Sequence, residues 1–518
     1  MKITKTNTAF TATFMVFATL SAKVCGMLRD ILIAAMYGTQ TAEAIAFSSA
    51  SRIPVLFFDI AFGSAVTSAF IPVFNEYLSG KDKNSALDLA NRFINLVLIL
   101  TASIAVLGIV FSRQLVNLIA GGYDADILSL ISSLVVILFP MIVFTGLAFC
   151  VVGILQSFGR FIIPSVISLV SNAFLILYLV IFKNKFGVTG VAAAMLISWT
   201  LQLIIQIPSL RKCGYRFRFT FSFKDEGIKK ICLLALPIIL SSWVQPINNL
   251  INIRLASSLA QKGSVAALDY ANRLYIIFVS VFAYAITNLI LPSLSRANAD
   301  GDKKKFANIA GSGIRYALIV IVPVMAGFLL LSKPIIQLVY ERGQFDAEST
   351  KLTSSALFYY SIGMVGYALQ EISNRVFYAA QDGKTPMYIS GVGVSINILL
   401  SIAFIKIFNL DHRALAFSAA ISANIMGFAA FFIASSRNQG IITKDFIICV
   451  VKILISTAVM AIAVNGIGVL LKETALISRI SACCAGGAVV YFVCAVILGV
   501  GEIKEIFSKV ISIKKKNI

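Results

Sequence analysis

The sequence predicts an all-α integral membrane protein, and three observations carry that reading. Of 518 residues, 59% are hydrophobic and 13% charged, with a mean hydropathy of +0.91, whereas soluble domains are about a quarter charged. The apolar stretches mostly reach twenty residues or more, the length a helix needs to cross a hydrocarbon core about 30 Å thick. Strand-type alternation is absent from the sequence, which argues against a β-barrel.

About fourteen helical spans follow from length and hydropathy. They begin near residues 9, 42, 87, 126, 161, 187, 229, 264, 306, 348, 386, 413, 446 and 476. Cations crowd alternate loops: Lys81 and Lys83, Arg160, the run from Arg211 to Lys230, Arg296 with Lys303 to Lys305, Lys384, and Arg437 with Lys444. Lys2, Lys5, Lys514, Lys515 and Lys516 fall on the same side. The positive-inside rule makes these loops and both termini cytoplasmic. That rule also absorbs most of the net charge of +21, so the charge does not imply nucleic acid. The stretch Tyr215-Arg216-Phe217-Arg218-Phe219 alternates basic and aromatic residues. It reads as a short strand or ribbon at the anionic inner headgroups.

The chain repeats itself at an offset near 220 residues. Arg52-Ile53-Pro54 through Pro72 resembles Arg273-Leu274 through Pro292, and Ser112-Arg113 resembles Ser332-Lys333. Gln156 to Arg160 with Pro164 resembles Gln381 to Lys384 with Pro386. Two parallel six-helix repeats plus two extra C-terminal helices result. The division is residues 1–210 for the N-terminal lobe, 211–228 for a cytoplasmic or interfacial connector, 229–437 for the C-terminal lobe, and 438–518 for helices 13 and 14 with a basic tail. Transporters built from parallel repeats bind substrate between the halves and rock one against the other.

Charges inside the spans carry the chemistry. Lys23, Arg29 and Asp30 lie in the first apolar run; Glu43, Arg52 and Asp59 lie in the second; Asp269 and Arg273 open the eighth. A lysine or arginine at mid-bilayer costs roughly 2.5–3.5 kcal/mol on insertion scales. Either these cations snorkel or pair with carboxylates, or they face a watery interior that takes an anionic ligand. Lys23 and Arg29 differ by about 240° around a helix, and Gly26 between them offers a place to bend. Arginine suits pyrophosphate because its fork donates two parallel hydrogen bonds. Lys23, Arg29, Arg52 and Arg273 are the expected substrate-binding residues, with Asp30, Glu43 and Asp269 as counter-ion or gating residues.

Other signals point nowhere catalytic. Eight cysteines include no CxxC pair, and the one histidine, His412, reads as a loop residue. Gly391 and Gly393 suit close helix packing, Glu371 and Arg375 a helix-face ion pair, and Asp124 and Asp126 a solvated turn and cap. No Walker sequence, nucleophile elbow or metal-ligand cluster appears. No catalytic residue, cofactor or metal is expected.

In these features the chain resembles the MurJ (MviN) family of lipid II flippases, within the superfamily that also holds multidrug extruders and polysaccharide-unit flippases. The resemblance runs in order through Gly26, Arg29-Asp30, Tyr37-Gly38, Arg52-Ile53-Pro54 and Ala69-Phe70-Ile71-Pro72-Val73-Phe74. It continues through Tyr270 to Leu274, Leu291 to Ser295, Arg342-Gly343-Gln344-Phe345, and Phe377-Tyr378 to Lys384-Thr385-Pro386. It implies a central cationic cavity, a groove from the last two helices for a polyprenyl tail, and cavity roles for Lys23, Arg29 and Arg273. One departure is Phe57-Phe58-Asp59, where relatives often carry arginine.

The expectation is a transporter, not an enzyme, in the bacterial cytoplasmic membrane. It would move lipid II, an undecaprenyl-diphosphate-linked glycopeptide, from inner to outer leaflet by alternating access, acting as a monomer among membrane lipids and with no nucleic-acid partner. Na⁺ or H⁺ coupling is left open. The alternatives are a flippase for another polyprenyl-linked glycan or a drug antiporter of the same fold. An antiporter of organic cations calls for an acidic cavity, which these residues do not supply.

Overall fold

A computed structural model describes residues 5–61, 66–80, 82–183, 185–220 and 225–502. Lys2, Lys81, Lys224, the stretch Phe221 to Phe223 and the basic tail from Lys514 lie outside the described residues. The described chain is helical, without a strand, and all fourteen expected spans are present as single helices or runs of consecutive helices. Among the described residues ten helical stretches are long and apolar enough to cross a membrane. By contacts the chain divides into two compact units: Met1–Ala266 with Arg342–Phe345, and Ala267–Glu341 with Asp346–Ile518.

In the first unit, α1 (Lys5–Tyr37) runs unbroken along α9 (Ile162–Phe182). The second span is interrupted. It comprises α2 (Ala42–Ala50), α3 (Arg52–Ala61), a π-helical turn Val66–Phe70, and α4 (Ile71–Gly80). Then come α5 (Lys83–Val110), the short loop helix α6 (Ser112–Ala120), α7 (Ala125–Leu138), α8 (Met141–Ser157), α10 (Gly187–Ile204) and α11 (Ile207–Lys212). Phe139 and Pro140 separate α7 from α8, as expected where a proline lacks the amide that would continue the ladder.

The seventh span is α12 (Glu226–Ser242) followed by α13 (Val244–Ser257). The sequence repeat groups residues 229–257 with the C-terminal lobe, but by contacts they pack on α3, α5 and α6 of the first unit. The Trp243 indole donates to the Ile60 carbonyl at 2.7 Å. Lys262 pairs with Asp124, and a methyl on Gly122 would stand 2.4 Å from the Ser257 carbonyl oxygen. A second clasp joins distant sequence within this unit. The Gln344 amide donates to the Ala35 carbonyl at 2.8 Å. Gly343 (φ +59) and Gly38 (φ +66) approach each other's segments so closely that a side chain on either would strike backbone, at 2.2 and 2.4 Å respectively. The Tyr37-Gly38 and Arg342-Gly343-Gln344-Phe345 signatures are thus two halves of one contact.

The second unit holds α14 (Ser264–Ala299), α15 (Lys303–Tyr340), α16 (Ala347–Ser361), α17 (Met364–Ala379), α18 (Lys384–Ile402), α19 (His412–Arg437), α20 (Lys444–Leu470) and α21 (Leu476–Ile497). α15 kinks at Leu331, three residues before Pro334, the usual cause of a sharp bend. α17 and α19 cross at Gly366 and Gly427, where an added methyl on Gly427 would lie 2.0 Å from the Gly366 carbonyl oxygen. Small residues allow this approach in lipid, where packing rather than water exclusion holds helices together. α20 and α21 pair and pack on α15. The buried Tyr491 donates to the Ile319 carbonyl at 2.8 Å, and Lys452 donates to the Gly499 carbonyl at 3.1 Å, closing the C-terminal end of α21. Their other faces leave Ile462, Val469, Val489 and Ile497 more than 60% exposed, as surfaces against lipid tails require.

Helix starts follow the local sequence. Asp82, Asp225, Asp302 and Asp346 each accept from the amide three residues on, at 2.8–3.1 Å, as does Thr443. Such caps contribute about 1 kcal/mol each.

Candidate functional site

Arg29 is held by two neighbouring side chains. Its Nε and Nη2 donate to Asp30 Oδ1 at 2.9 and 2.8 Å, and its Nη1 donates to Asn172 Oδ1 at 2.8 Å. The side chain is 20% exposed and that of Asp30 11%. Asn172, from α9, donates in turn to the Ala22 carbonyl at 3.2 Å. A methyl on Gly26 would sit 3.5 Å from the Asn172 amide nitrogen. Gly26 is therefore not the bend expected from sequence. α1 continues through it as one helix, with the Asn172 carboxamide of α9 alongside. Three of the guanidinium's five N–H groups are so engaged, which leaves donors for a further acceptor.

Lys23 lies half-buried six residues earlier on the same helix, and Arg52 lies half-buried as the first residue of α3, where the second span breaks at Ser51. Glu43 is exposed in the first turn of α2. That position is favourable for a carboxylate near the positive end of the helix dipole, a local reason for its presence. The Phe57-Phe58-Asp59 departure has a packing explanation. Phe57 packs on Phe139 and Phe58 on Phe149, at ring separations of 5.7 and 5.6 Å, while Asp59 is half-buried beside them.

In the second unit, Asp269 and Arg273 form an ion pair at 3.1 Å, one turn apart on α14. The Asp269 side chain is 10% exposed and that of Arg273 36%. Asp30 and Asp269 thus both stand beside a cation named from sequence, one in each unit. Lys23, Arg29 and Arg52 belong to the first unit, Arg273 to the second.

Several secondary expectations are settled by geometry. Glu371 and Arg375 pair along α17 at 3.8 Å. Asp124 occupies the cap position of α7 without capping it, its carboxylate being taken by Lys262 instead. Gly393 is packed against Met426, but Gly391 opens onto empty space, so only one of the two glycines serves close packing. His412 is not a loop residue: it opens α19, is buried, and its Nε2 lies 3.0 Å from the Leu352 carbonyl. The 215–220 stretch is irregular rather than a strand. The asparagines of α5 hold it: Asn91 bonds the Arg216 carbonyl and the Arg218 amide, and Asn95 bonds the Arg218 and Thr220 carbonyls, at 2.8–3.1 Å. Asn91, Asn95 and Asn172 went unnamed in the sequence reading. Their signal was a polar residue inside an apolar run. Among the described residues no group of three or more His, Cys, Asp or Glu could hold a metal, and all eight cysteines are free thiols.

The apolar helices and their fold define a multi-pass membrane protein. A family model described as "Lipid II flippase MurJ" matches residues 33–481, and the chain belongs to that family. The chain is 31% identical over 398 residues to the "Probable lipid II flippase MurJ" of Vibrio cholerae, covering 74% of this chain and 75% of that protein. It is 28% identical to the "Lipid II flippase MurJ" of Burkholderia cenocepacia, covering 82% of each. Among solved structures it is similar to "Lipid II flippase MurJ, inward closed conformation", with TM-score 0.80, 24% identity, and 94% and 98% of the two chains covered. An inward-facing MATE-family multidrug transporter of the MOP superfamily gives TM-score 0.68 at 17% identity, with 81% and 95% covered.

Proposed function

We propose that this protein moves the lipid-linked peptidoglycan precursor, lipid II, from the inner to the outer leaflet of a bacterial cytoplasmic membrane by alternating access. The family match over residues 33–481 carries this reading. Lys23, Arg29 and Arg52 of the first unit and Arg273 of the second engage the diphosphate-sugar head. Asp30 and Asp269 hold Arg29 and Arg273 in place when no substrate is bound. A neutral ion pair costs less to keep in a membrane protein than a bare cation, and a diphosphate competes for the guanidinium through two parallel, charge-assisted hydrogen bonds. α20 and α21 accommodate the polyprenyl tail. Both termini and the Arg211–Lys230 loop face the cytoplasm, and the carrier works as a monomer. Moving one negative charge outward through an interior-negative potential gains about 2.3 kcal/mol per 100 mV, so the potential alone supplies a driving force. Coupling to Na⁺ or H⁺ would add to it.

Complementation tests the site. In a cell depleted of its own flippase, Lys23→Gln, Arg29→Gln and Arg273→Gln should each fail to restore growth while the protein reaches normal abundance. Loss of abundance in step with loss of rescue would make these residues structural and remove them from the site.

A further inference from the structure

Away from the cations above, the first unit carries a groove of about 750 Å³ between α5, α8 and the α10–α11 corner. Its walls are apolar, with Leu98, Leu147, Leu203 and Ile207 among them, and Phe217 stands at the loop end. At that end Arg211 and Arg216 also line it, and both are exposed. Like Arg113, Arg160 and Arg254, these two arginines carry no counter-ion among the described residues, whereas Arg29, Arg92, Arg273, Arg315 and Arg437 each pair with a carboxylate. Lys212 and Arg218 next to them are likewise exposed, so the local charge is strongly positive. The lip is built rather than loose, because Asn91 accepts from the Arg218 amide and donates to the Arg216 carbonyl. Tyr215 is buried in the groove wall, and its hydroxyl has no partner among the described residues.

We infer that this groove binds an anionic phospholipid of the leaflet in which the basic loops lie, one acyl chain between α5, α8 and α10 and the phosphate between Arg211 and Arg216. The apolar walls fit a chain. The unneutralised guanidiniums fit a phosphate, which they can grip with paired N–H groups, and basic pockets at membrane depth favour anionic headgroups. The occupant is a resident lipid of the bilayer and not the transported molecule, so the inference does not depend on the proposed substrate.

The test is native mass spectrometry of the full-length protein released from nanodiscs of equal phosphatidylglycerol and phosphatidylethanolamine. Wild type should retain phosphatidylglycerol preferentially. Arg211→Gln with Arg216→Gln should lower that retention about tenfold or more, since each cation near an anionic headgroup contributes roughly a factor of five. Leu203→Trp, which fills the groove and leaves the arginines in place, should lower retention as well. Both variants alter the groove and not Arg29 or Arg273, so complementation reports separately on the transport site. Equal retention of the two phospholipids, equal retention by wild type and the arginine variant, or an undiminished adduct in Leu203→Trp would each overturn the inference. So would displacement of phosphatidylglycerol from this groove by a polyprenyl-diphosphate lipid.

Discussion

Arg29 is bound on one side by its neighbour in sequence and on the other by a residue 143 positions away. The first partner was legible: an arginine followed by an aspartate inside an apolar run asks for a pair. The second was not, because nothing in a single sequence says that α9 packs along α1. Asn172 reads only as one polar residue in a hydrophobic span. Asn172→Ala should remove one charge-assisted hydrogen bond from Arg29, destabilising the protein by about 1–3 kcal/mol. Thermal unfolding of the purified protein checks this, and rescue of growth should weaken as Arg29 loses its fixed orientation. Asp30→Asn should be more damaging than Asn172→Ala, since it leaves a part-buried guanidinium without its counter-charge. Outside the spans, hydrogen bonds from the Thr385 hydroxyl and amide, with help from Arg437, hold the Asp382 carboxyl at about 2. A carboxyl lowered on folding stabilises the protein above its ordinary value, and that contribution is lost as pH falls toward the folded one. The difference in melting temperature between wild type and Asp382→Asn should be constant from about pH 8 to 5 and shrink below about 4.

Among the elements, existence was more legible than interruption. Every expected span appears, because twenty apolar residues in a row leave a chain little choice in lipid. The breaks at Ser51, Pro140, Trp243 and Ile362 were not read, although Pro54, Pro246 and Gly363 follow three of them closely and a proline stands at the other. Glycines show the same divide. Gly391 and Gly393 look alike in sequence, yet only Gly393 meets a neighbour. Gly427→Ala should therefore destabilise strongly, because the obstruction is the Gly366 backbone and cannot rotate away. Gly391→Ala should be neutral or slightly stabilising. Gly343→Ala should also be costly, since its φ of +59 and the 2.2 Å approach to Ala35 both exclude a side chain. Expression level and melting temperature of the three variants separate these cases.

At the level of the whole molecule, the repeat offset and the contact map answer different questions. The offset near 220 residues groups α12 and α13 with the second half, while their packing places them with the first unit. A repeat records which segments are alike; contacts record which surfaces are complementary, and the Ile60 carbonyl near the C-terminal end of α3 gives Trp243 a partner. The resemblance running from Gly26 to Pro386 was visible in the motifs, and the family match over residues 33–481 takes in those from Tyr37-Gly38 onward. Arg29 and Arg273, each held beside a carboxylate in an apolar chain, suit the proposed carrier of an anionic head group better than a passive scaffold. The decisive measurement is the leaflet distribution of lipid II in the native cell after depletion of this protein. Intact lipid II should accumulate on the inner leaflet and become inaccessible from outside, with wild-type protein restoring export and Arg29→Gln failing to. An unchanged pool, still reaching the outer leaflet at its normal rate, would contradict the account.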